Sequence, residues 1–462
     1  MFAICNGSEI IHFIGIGGIG MSGIAEIMHS LGYVVQGSDK VHSQNIERLE
    51  RIGIKTFIGH NAENVANANV VVYSSAIKQN NSELQRAREL KIPCLTRAEM
   101  LSQIVRFKKS VVVSGSHGKT TVTSLCAAIL EMASFHPTVV NGGIIHSYNT
   151  NAKLGTGDWA VIESDESDGS FTQFFPTIGI ITNIDKEHIT HYGNFENLKG
   201  AFRTFLNNLP FYGAGIVCLD DPNIADIVEN MTDRKIVTYS IEQNSMFKAE
   251  NIRKTNNGAI FDVNHNGIII KDISIPLLGD HNIKNALSTI AMANELSIEV
   301  DIVKATLSSF TGVNRRFTQV GTIGSALVID DYAHHPTEIK SLLNSAKQKV
   351  NGKIVIIHQP HRFTRLNTLF DEFCHCFDLA DEIVITPVYK ADDIETAPIT
   401  ADDLFKNLKS QGKDVLFANN AIEIQSILLS SAFSENDIIL FAGAGSISKW
   451  AHEIVKKIGT HI

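Results

Sequence analysis

The chain reads as an α/β protein of three modules in series: an N-terminal Rossmann-like module, a central module with a nucleotide-phosphate loop, and a C-terminal Rossmann-like module. Short runs rich in Val and Ile alternate with stretches of helical period, the pattern of parallel sheets covered by helices. That alternation restarts twice, at SVVVSG and after GVNRRF. The length, 462 residues, matches about three domains at roughly 150 residues each.

The elements follow in order. IIHFIGIGG is an apolar strand running into a glycine turn, IAEIMHSLG a helix closed by Gly32, and YVVQGSD and NVVVYSSAI further strands. The pattern fades near residues 101–109. SVVVSG then opens the second series, followed by the helix TVTSLCAAILEMASF and by the strands DWAVIES and TIGIITNID, both ending in acids. Between about 211 and 275 the helical signal weakens and shorter β-like pieces appear, GIVCLD, KIVTYS, AIFDVN and GIIIKDISI, before the helix HNIKNALSTIAMANEL. The third series offers five strands: ALVIDDYA, KIVIIHQ, EIVITPV, DVLFA and DIILFAG. In TEIKSLLNSAKQKV, residues Ile339, Leu342, Leu343, Ala346 and Val350 share one helical face. The expected modules are 1–106, 107–316 and 317–462.

Composition narrows the function. With 44% hydrophobic and 19% charged residues, a sizeable core is expected and disorder is not. A net charge of −9 without long Lys/Arg runs argues against nucleic-acid binding, which depends on neutralising phosphates. The six cysteines lack the spacing of a zinc site or a disulfide framework, which suits a reducing compartment. The first residues lack a secretion signal's basic start and apolar core, and no 18-residue apolar stretch predicts a membrane span. A cytoplasmic protein without membrane insertion is expected.

Three places carry chemistry. VVVSGSHGKTT places Gly115, Ser116, His117, Gly118, Lys119, Thr120 and Thr121 between a β-branched strand and a helix. A helix start offers outward amides and a positive dipole end. Lys119 can reach phosphate oxygens, and Thr120 can offer a hydroxyl to Mg²⁺. The loop is two residues shorter than G-x-x-x-x-G-K-[ST] and reads as a variant of it. Oxygen ligands for the metal are expected at neighbouring strand ends: Glu163, Asp165, Glu166 and Asp168 in ESDESD, and Asp185, Glu187 and His188 in TNIDKEH. Of these, Glu163 and His188 are the metal candidates.

The second place is Gly15, Gly17, Gly18 and Gly20, a G-x-G-x-x-G turn after a strand, with Asp39 ending the next strand. It predicts a pyrophosphate-and-ribose site without saying whether for a dinucleotide or a nucleotide-sugar. The third is DDYAHHPTEI with HQPHRFTR, which set His334, His335, His361, Arg362 and Arg365 on one rim, an anion or carboxylate site. His281, Asn282 and Asn285 open a helix, and Arg315 and Arg316 lie at the second junction, where an arginine can reach ATP after closure. A nicotinamide-dependent dehydrogenase and a non-catalytic nucleotide sensor remain rival readings. The first leaves the phosphate loop unexplained.

GIGGIGMSGIA, GSD, GSHGKTT, ESDESDGSF, TNIDKEH, GDHNIKNAL, NRRF, DDYAHHPTE and HQPHRFTR occur in this order. The chain thereby resembles the ATP-dependent Mur ligases of bacterial peptidoglycan synthesis over essentially its whole length. Ser167 in the acidic motif favours the branch that adds L-alanine to UDP-N-acetylmuramate over the branch that recycles a tripeptide. The resemblance implies a UDP-substrate domain, a central ATPase domain and an amino-acid domain, with ATP and Mg²⁺ as cofactors and a monomer or homodimer as the assembly. It implies that Gly15, Gly17, Gly18, Gly20, Asp39 and Ser75 meet the UDP-substrate. Residues Gly115–Thr121, His281, Asn282, Asn285 and Arg316 meet ATP, and Thr120, Glu163 and His188 the metal. Tyr332, His334, His361, Arg362 and Arg365 surround L-alanine and the reacting carboxylate, with Lys119, His334, Arg362 and Arg365 catalytic. The family has alanine where Ser164 stands and aspartate where Ser446 stands. A carbamylated lysine, used by some relatives, is not predicted here.

Overall fold

The protein is described from a computed structural model, which describes residues 9–74, 76–105, 108–145, 150–391, 393 and 399–461. Three α/β sheets are present. They lie in two compact units, one of Met1–Asn251, Phe261–Ile275 and Ile283–Thr311, the other of Ile252–Ile260, Pro276–Asn282 and Gly312–Ile462.

The first sheet contains β1 (Ile10–Ile14), β2 (Val34–Asp39), β3 (Lys55–Ile58), β4 (Val70–Tyr73) and β5 (Cys94–Thr96) in the order β3-β2-β1-β4-β5, all parallel. The chain winds one way from β1 to β3 and then returns to the far side at β4. The carboxyl end of β1 is therefore a switch point, where open parallel sheets leave a crevice for ligands. The glycine turn sits there.

The second sheet contains β6 (Lys109–Ser114), β7 (Thr138–Ile145), β8 (Thr150–Lys153), β9 (Trp159–Glu163), β10 (Ile178–Ile181), β11 (Ala214–Cys218), β12 (Ile236–Ser240), β13 (Phe247–Thr255), β14 (Gly258–His265) and β15 (Ile268–Ile275). Its order is β15-β14-β13-β12-β11-β10-β6-β9-β7-β8. Parallel pairing of β6 with both β10 and β9 makes the end of β6 a second switch point, flanked by the acid-bearing ends of β9 and β10. Phe171 packs against Phe202 and Phe205, ring centroids 4.9 and 5.7 Å away.

The third sheet contains β16 (Thr318–Ile323), β17 (Ala326–Asp331), β18 (Ile354–His358), β19 (Glu382–Ile385), β20 (Val415–Phe417), β21 (Ile438–Ala442) and β22 (Thr460–His461), in the order β20-β19-β18-β21-β17-β16-β22. Strand alternation sends Ile354, Ile356, Ile438 and Leu440 to one core and Val355, Ile357, Ile439 and Phe441 to the other, as a sheet covered on both faces requires. The helix Pro336–Lys349 covers the first core with Ile339, Leu342, Leu343 and Ala346. Val350 ends that helix in extended conformation and is also buried there. Among the described residues no helix is long and apolar enough to cross a membrane.

Candidate active site

The expected phosphate loop is a four-residue turn, Gly115–Gly118, between β6 and the helix Lys119–Met132. Gly115 has φ 128°, and a Cβ there would come 2.2 Å from Thr182 Oγ1, so only glycine fits. The segment after β10 clasps the turn. Ser116 N–H donates to Asn183 O at 3.0 Å and His117 N–H to Asn183 Oδ1 at 2.8 Å. In return, Asn183 Nδ2 and Thr182 Oγ1 donate to His117 O at 2.9 and 2.6 Å. Asp185 N–H donates to Ser116 Oγ, and the Asp185 carboxylate lies 3.0 Å from His117 Nε2. The amides of Ser116 and His117 are thus bonded to Asn183 in this structure. Asn285, on the helix Asp280–Glu295, sits so close that a Cβ on Gly118 would come 2.8 Å from its Oδ1.

Lys119 folds back over the turn. Its Nζ donates to Gly115 O, to Ser116 O and, at 2.6 Å, to Glu166 Oε2. Burial alone would lower its pKa, but the carboxylates of Glu166, Asp165 and Glu163 outweigh that and hold the ammonium charged. Glu166 is fully buried, and its Oε1 accepts no hydrogen bond. Burial drives Glu166 upward, as do Asp165 and Glu187, against the pull of Lys119. Thr120 Oγ1 donates to Glu163 Oε1 at 3.1 Å, and Gly142 N–H to Glu163 Oε2 at 2.6 Å. The expected ligands fall into two groups: Thr120 with Glu163, and His188 with Asp165 and Glu166, whose ligand atoms lie within 4.8 Å of one another.

At the glycine turn, Gly17 N–H donates to Asp39 Oδ2 at 2.9 Å, so this carboxylate braces the loop. A Cβ on Gly20 would come 3.0 Å from Arg97 Nη1. Gly20, the third glycine, therefore makes room for a guanidinium. Ser75 lies outside the described residues.

In the other unit, Tyr332 lies under Arg315 and Arg316, with guanidinium carbons 4.7 and 5.4 Å from its ring centroid. Arg316 also approaches Glu338 at 3.7 Å, so it stands beside the residues assigned to the amino acid. His334 meets Tyr332 edge-on at 5.1 Å, and its ring centroid is 5.8 Å from that of His361. Burial holds His361 neutral with a pKa of about 3, helped by His334, Arg365, Arg362 and Arg315. Arg365 Nη1 donates to His361 O at 3.2 Å. Asn282 Nδ2 donates to Leu278 O at 2.8 Å and lies 3.1 Å from His281 Nε2.

Three family models match most of this chain in series: "Mur ligase family, catalytic domain" over residues 10–109, "Mur ligase middle domain" over 113–293 and "Mur ligase, glutamate ligase domain" over 315–445. The chain belongs to the Mur ligase family. This Mur ligase is 46% identical to proteins named UDP-N-acetylmuramate–L-alanine ligase from Brucella anthropi (97% of each chain) and from a Chelativorans species (97% of this chain, 98% of the other). A solved UDP-N-acetylmuramate-alanine ligase from Thermotoga maritima superposes with a TM-score of 0.83 at 32% identity, covering 97% of this chain and 98% of that one. A murein peptide ligase from Psychrobacter arcticus has a TM-score of 0.72 at 22% identity, covering 98% and 100%, a likeness of fold.

Sequence reasoning on this Mur ligase missed the partners. Nothing in TNID marks Thr182 and Asn183 as a clasp. Glu166 read as one rim acid among several, and Arg97 stands in no glycine motif. One signal was available: an arginine at the first position of the helix Arg97–Val105 opposes the helix dipole.

Proposed function

We propose that the chain is an ATP-dependent ligase joining L-alanine to the lactyl carboxylate of UDP-N-acetylmuramate, a step of peptidoglycan precursor synthesis. One observation carries the reading: the turn bearing Lys119 and Thr120, with Glu163 and Glu166 against it, stands in a chain matched over 97% of its length by relatives of that name. Residues 1–106 hold the UDP-substrate, 107–316 hold ATP, and 317–462 hold the amino acid. Gly15, Gly17, Gly18, Gly20, Asp39 and Ser75 line the first site, with Arg97 adding a cation.

A carboxylate does not condense with an amine at neutral pH, because its leaving group would be oxide. The lactyl carboxylate attacks the γ-phosphate, giving an acyl phosphate and ADP. The alanine amine then attacks the acyl carbon, and phosphate leaves. The amides from Gly118 to Thr121 and the Lys119 ammonium hold the phosphates and offset charge growing on the transferred group. Asn285 supports the loop, and His281, Asn282 and Arg316 are further residues proposed to meet ATP. Oxygen donors at Thr120 and Glu163, and in the second group a buried Glu166 oxygen without a hydrogen bond, suit a hard divalent cation. Thr120 and Glu163 in one group and His188 in the other are the residues that would hold Mg²⁺, which would neutralise phosphate charge. Arg362 and Arg365 take the alanine carboxylate beside Tyr332 and His361, and His334 accepts a proton from its amine.

Phosphate release in the presence of ATP and UDP-N-acetylmuramate tests the reading. L-Alanine is expected to support release and to yield UDP-N-acetylmuramoyl-L-alanine by mass spectrometry. Turnover with tripeptide but not with L-alanine, or none with any acceptor, overturns it.

A further inference from the structure

Tyr389 belongs to none of the residue sets assigned above. It follows β19, and its backbone is zipped to the segment that carries His361 and Arg362. Tyr389 N–H donates to Pro360 O at 2.8 Å, and Arg362 N–H donates to Tyr389 O at 2.9 Å, forming a parallel bridge between His361 and Tyr389. The Tyr389 ring lies along the His361 ring, with planes 12° apart and centroids 5.6 Å apart. The same segment reaches the next helix. Asp393 Oδ2 accepts hydrogen bonds from Thr364 N–H at 2.8 Å and Thr364 Oγ1 at 2.9 Å, at the start of Phe363–Thr368, the helix that carries Arg365. From below, the ring rests on the turn after β21: a Cβ on Gly445 would come 2.5 Å from Tyr389 Cγ.

Arg362 explains why this bracing matters. It has φ 69° and ψ 133°, a backbone conformation that side-chain-bearing residues rarely adopt. Such strain persists only where the surroundings over-determine it, and it gathers at ligand-binding positions. The hydrogen bond from Arg362 N–H to Tyr389 O and the stack on His361 supply that determination. Tyr389 is 40% exposed, so burial alone does not account for an aromatic ring here. A flat face for His361 does. The contact with His361 is made by the ring.

We propose that Tyr389 is a positioning residue for the acceptor amino acid, fixing the plane of His361 and the direction of Arg362. The inference rests on reading His361, Arg362 and Arg365 as the acceptor site. It is tested on the full chain by steady-state phosphate release, varying L-alanine, ATP and UDP-N-acetylmuramate in turn. Tyr389→Ala is expected to raise the KM for L-alanine by about 10-fold, the order expected for losing an aromatic pair plus some misplacement. The other two KM values stay within about twofold. Tyr389→Leu, which keeps part of the apolar bulk without a flat face, behaves like Tyr389→Ala and guards against a folding failure. Tyr389→Phe stays close to the parent. An unchanged alanine KM in both Tyr389→Ala and Tyr389→Leu, a uniform fall in kcat at constant KM, or a Phe variant as poor as the Ala variant overturns the proposal. Arg365→Ala separates the two readings. If it raises the alanine KM while the Tyr389 variants do not, only this inference fails. If neither moves it, the acceptor site itself is misassigned.

Discussion

Lys119 is held by carboxylates before it meets a phosphate. Removing it takes away the cation that serves the transferred group and also leaves Glu166 buried without its partner. Breaking a buried pair in this way costs about 3–5 kcal/mol. Lys119→Ala is therefore expected to lose phosphate release by at least about 100-fold and to melt earlier, while UDP-N-acetylmuramate binding persists in calorimetry. Adding Glu166→Gln should restore much of the melting temperature and none of the turnover. Wild-type turnover in the single variant would remove Lys119 from the site.

Glu83 offers a residue-scale test of the first sheet. It is fully buried and accepts hydrogen bonds from Ser38 Oγ and Asn64 Nδ2, with the ring nitrogens of His60 and His12 at 3.1 and 3.7 Å. Burial opposes its charge, but His12, Ser38 and Asn64 outweigh that and hold its pKa at about 2. A carboxyl whose pKa is lower in the folded than in the unfolded chain stabilises above its unfolded value and loses that contribution as pH falls through the folded one. The window here is about pH 4.5 down to about 2, and the amount about 3 kcal/mol. Urea denaturation followed by circular dichroism at pH 7 and pH 3 should show Glu83→Gln destabilised at the higher pH and nearer the parent at the lower. An equal difference at both would contradict this origin.

At the scale of elements, the strands read most plainly are buried ones such as β1, β6, β17, β18 and β21, because two covered faces demand unbroken Val and Ile. Those that went unread lie at sheet edges or carry a wet face. β13, FKAENIRKT, buries only two of its nine side chains and exposes four. β16 is interrupted by a register shift at Gln319–Gly321 and pairs antiparallel with β17 and β22. The short β3, β5 and β8 gave no periodic signal; β7 is the exception, an eight-residue inner strand interrupted by Asn141, Gly142 and Gly143. Site residues divide along the same line. Glycines and the lysine at strand ends announce themselves locally, whereas Asn183, Glu166, Arg97 and Tyr389 act across strands distant in sequence. The helix Pro336–Lys349 was readable throughout, since its period matches the core it covers and its His335–Glu338 capping box fixes its start. Leu343 lies at the centre of that face, fully buried. Leu343→Ala should destabilise by about 2–5 kcal/mol, read from chemical denaturation, whereas an exposed change such as Lys340→Ala should stay within about 0.5 kcal/mol.

At the scale of the molecule, each sheet delivers its chemistry at the carboxyl ends of its strands: a glycine turn after β1, a phosphate loop after β6, and a histidine and arginine rim after β17 and β18. The proposed reaction needs all three, because an activated carboxyl must be made at one place and captured by an amine from another before water reaches it. The claim underneath is that the lactyl carboxylate itself takes the γ-phosphate. UDP-N-acetylmuramate labelled with ¹⁸O in that carboxylate tests it directly. After one turnover with ATP and L-alanine, mass spectrometry of the released phosphate should find one ¹⁸O atom carried over from the carboxylate. Unlabelled phosphate alongside formed product would contradict the account.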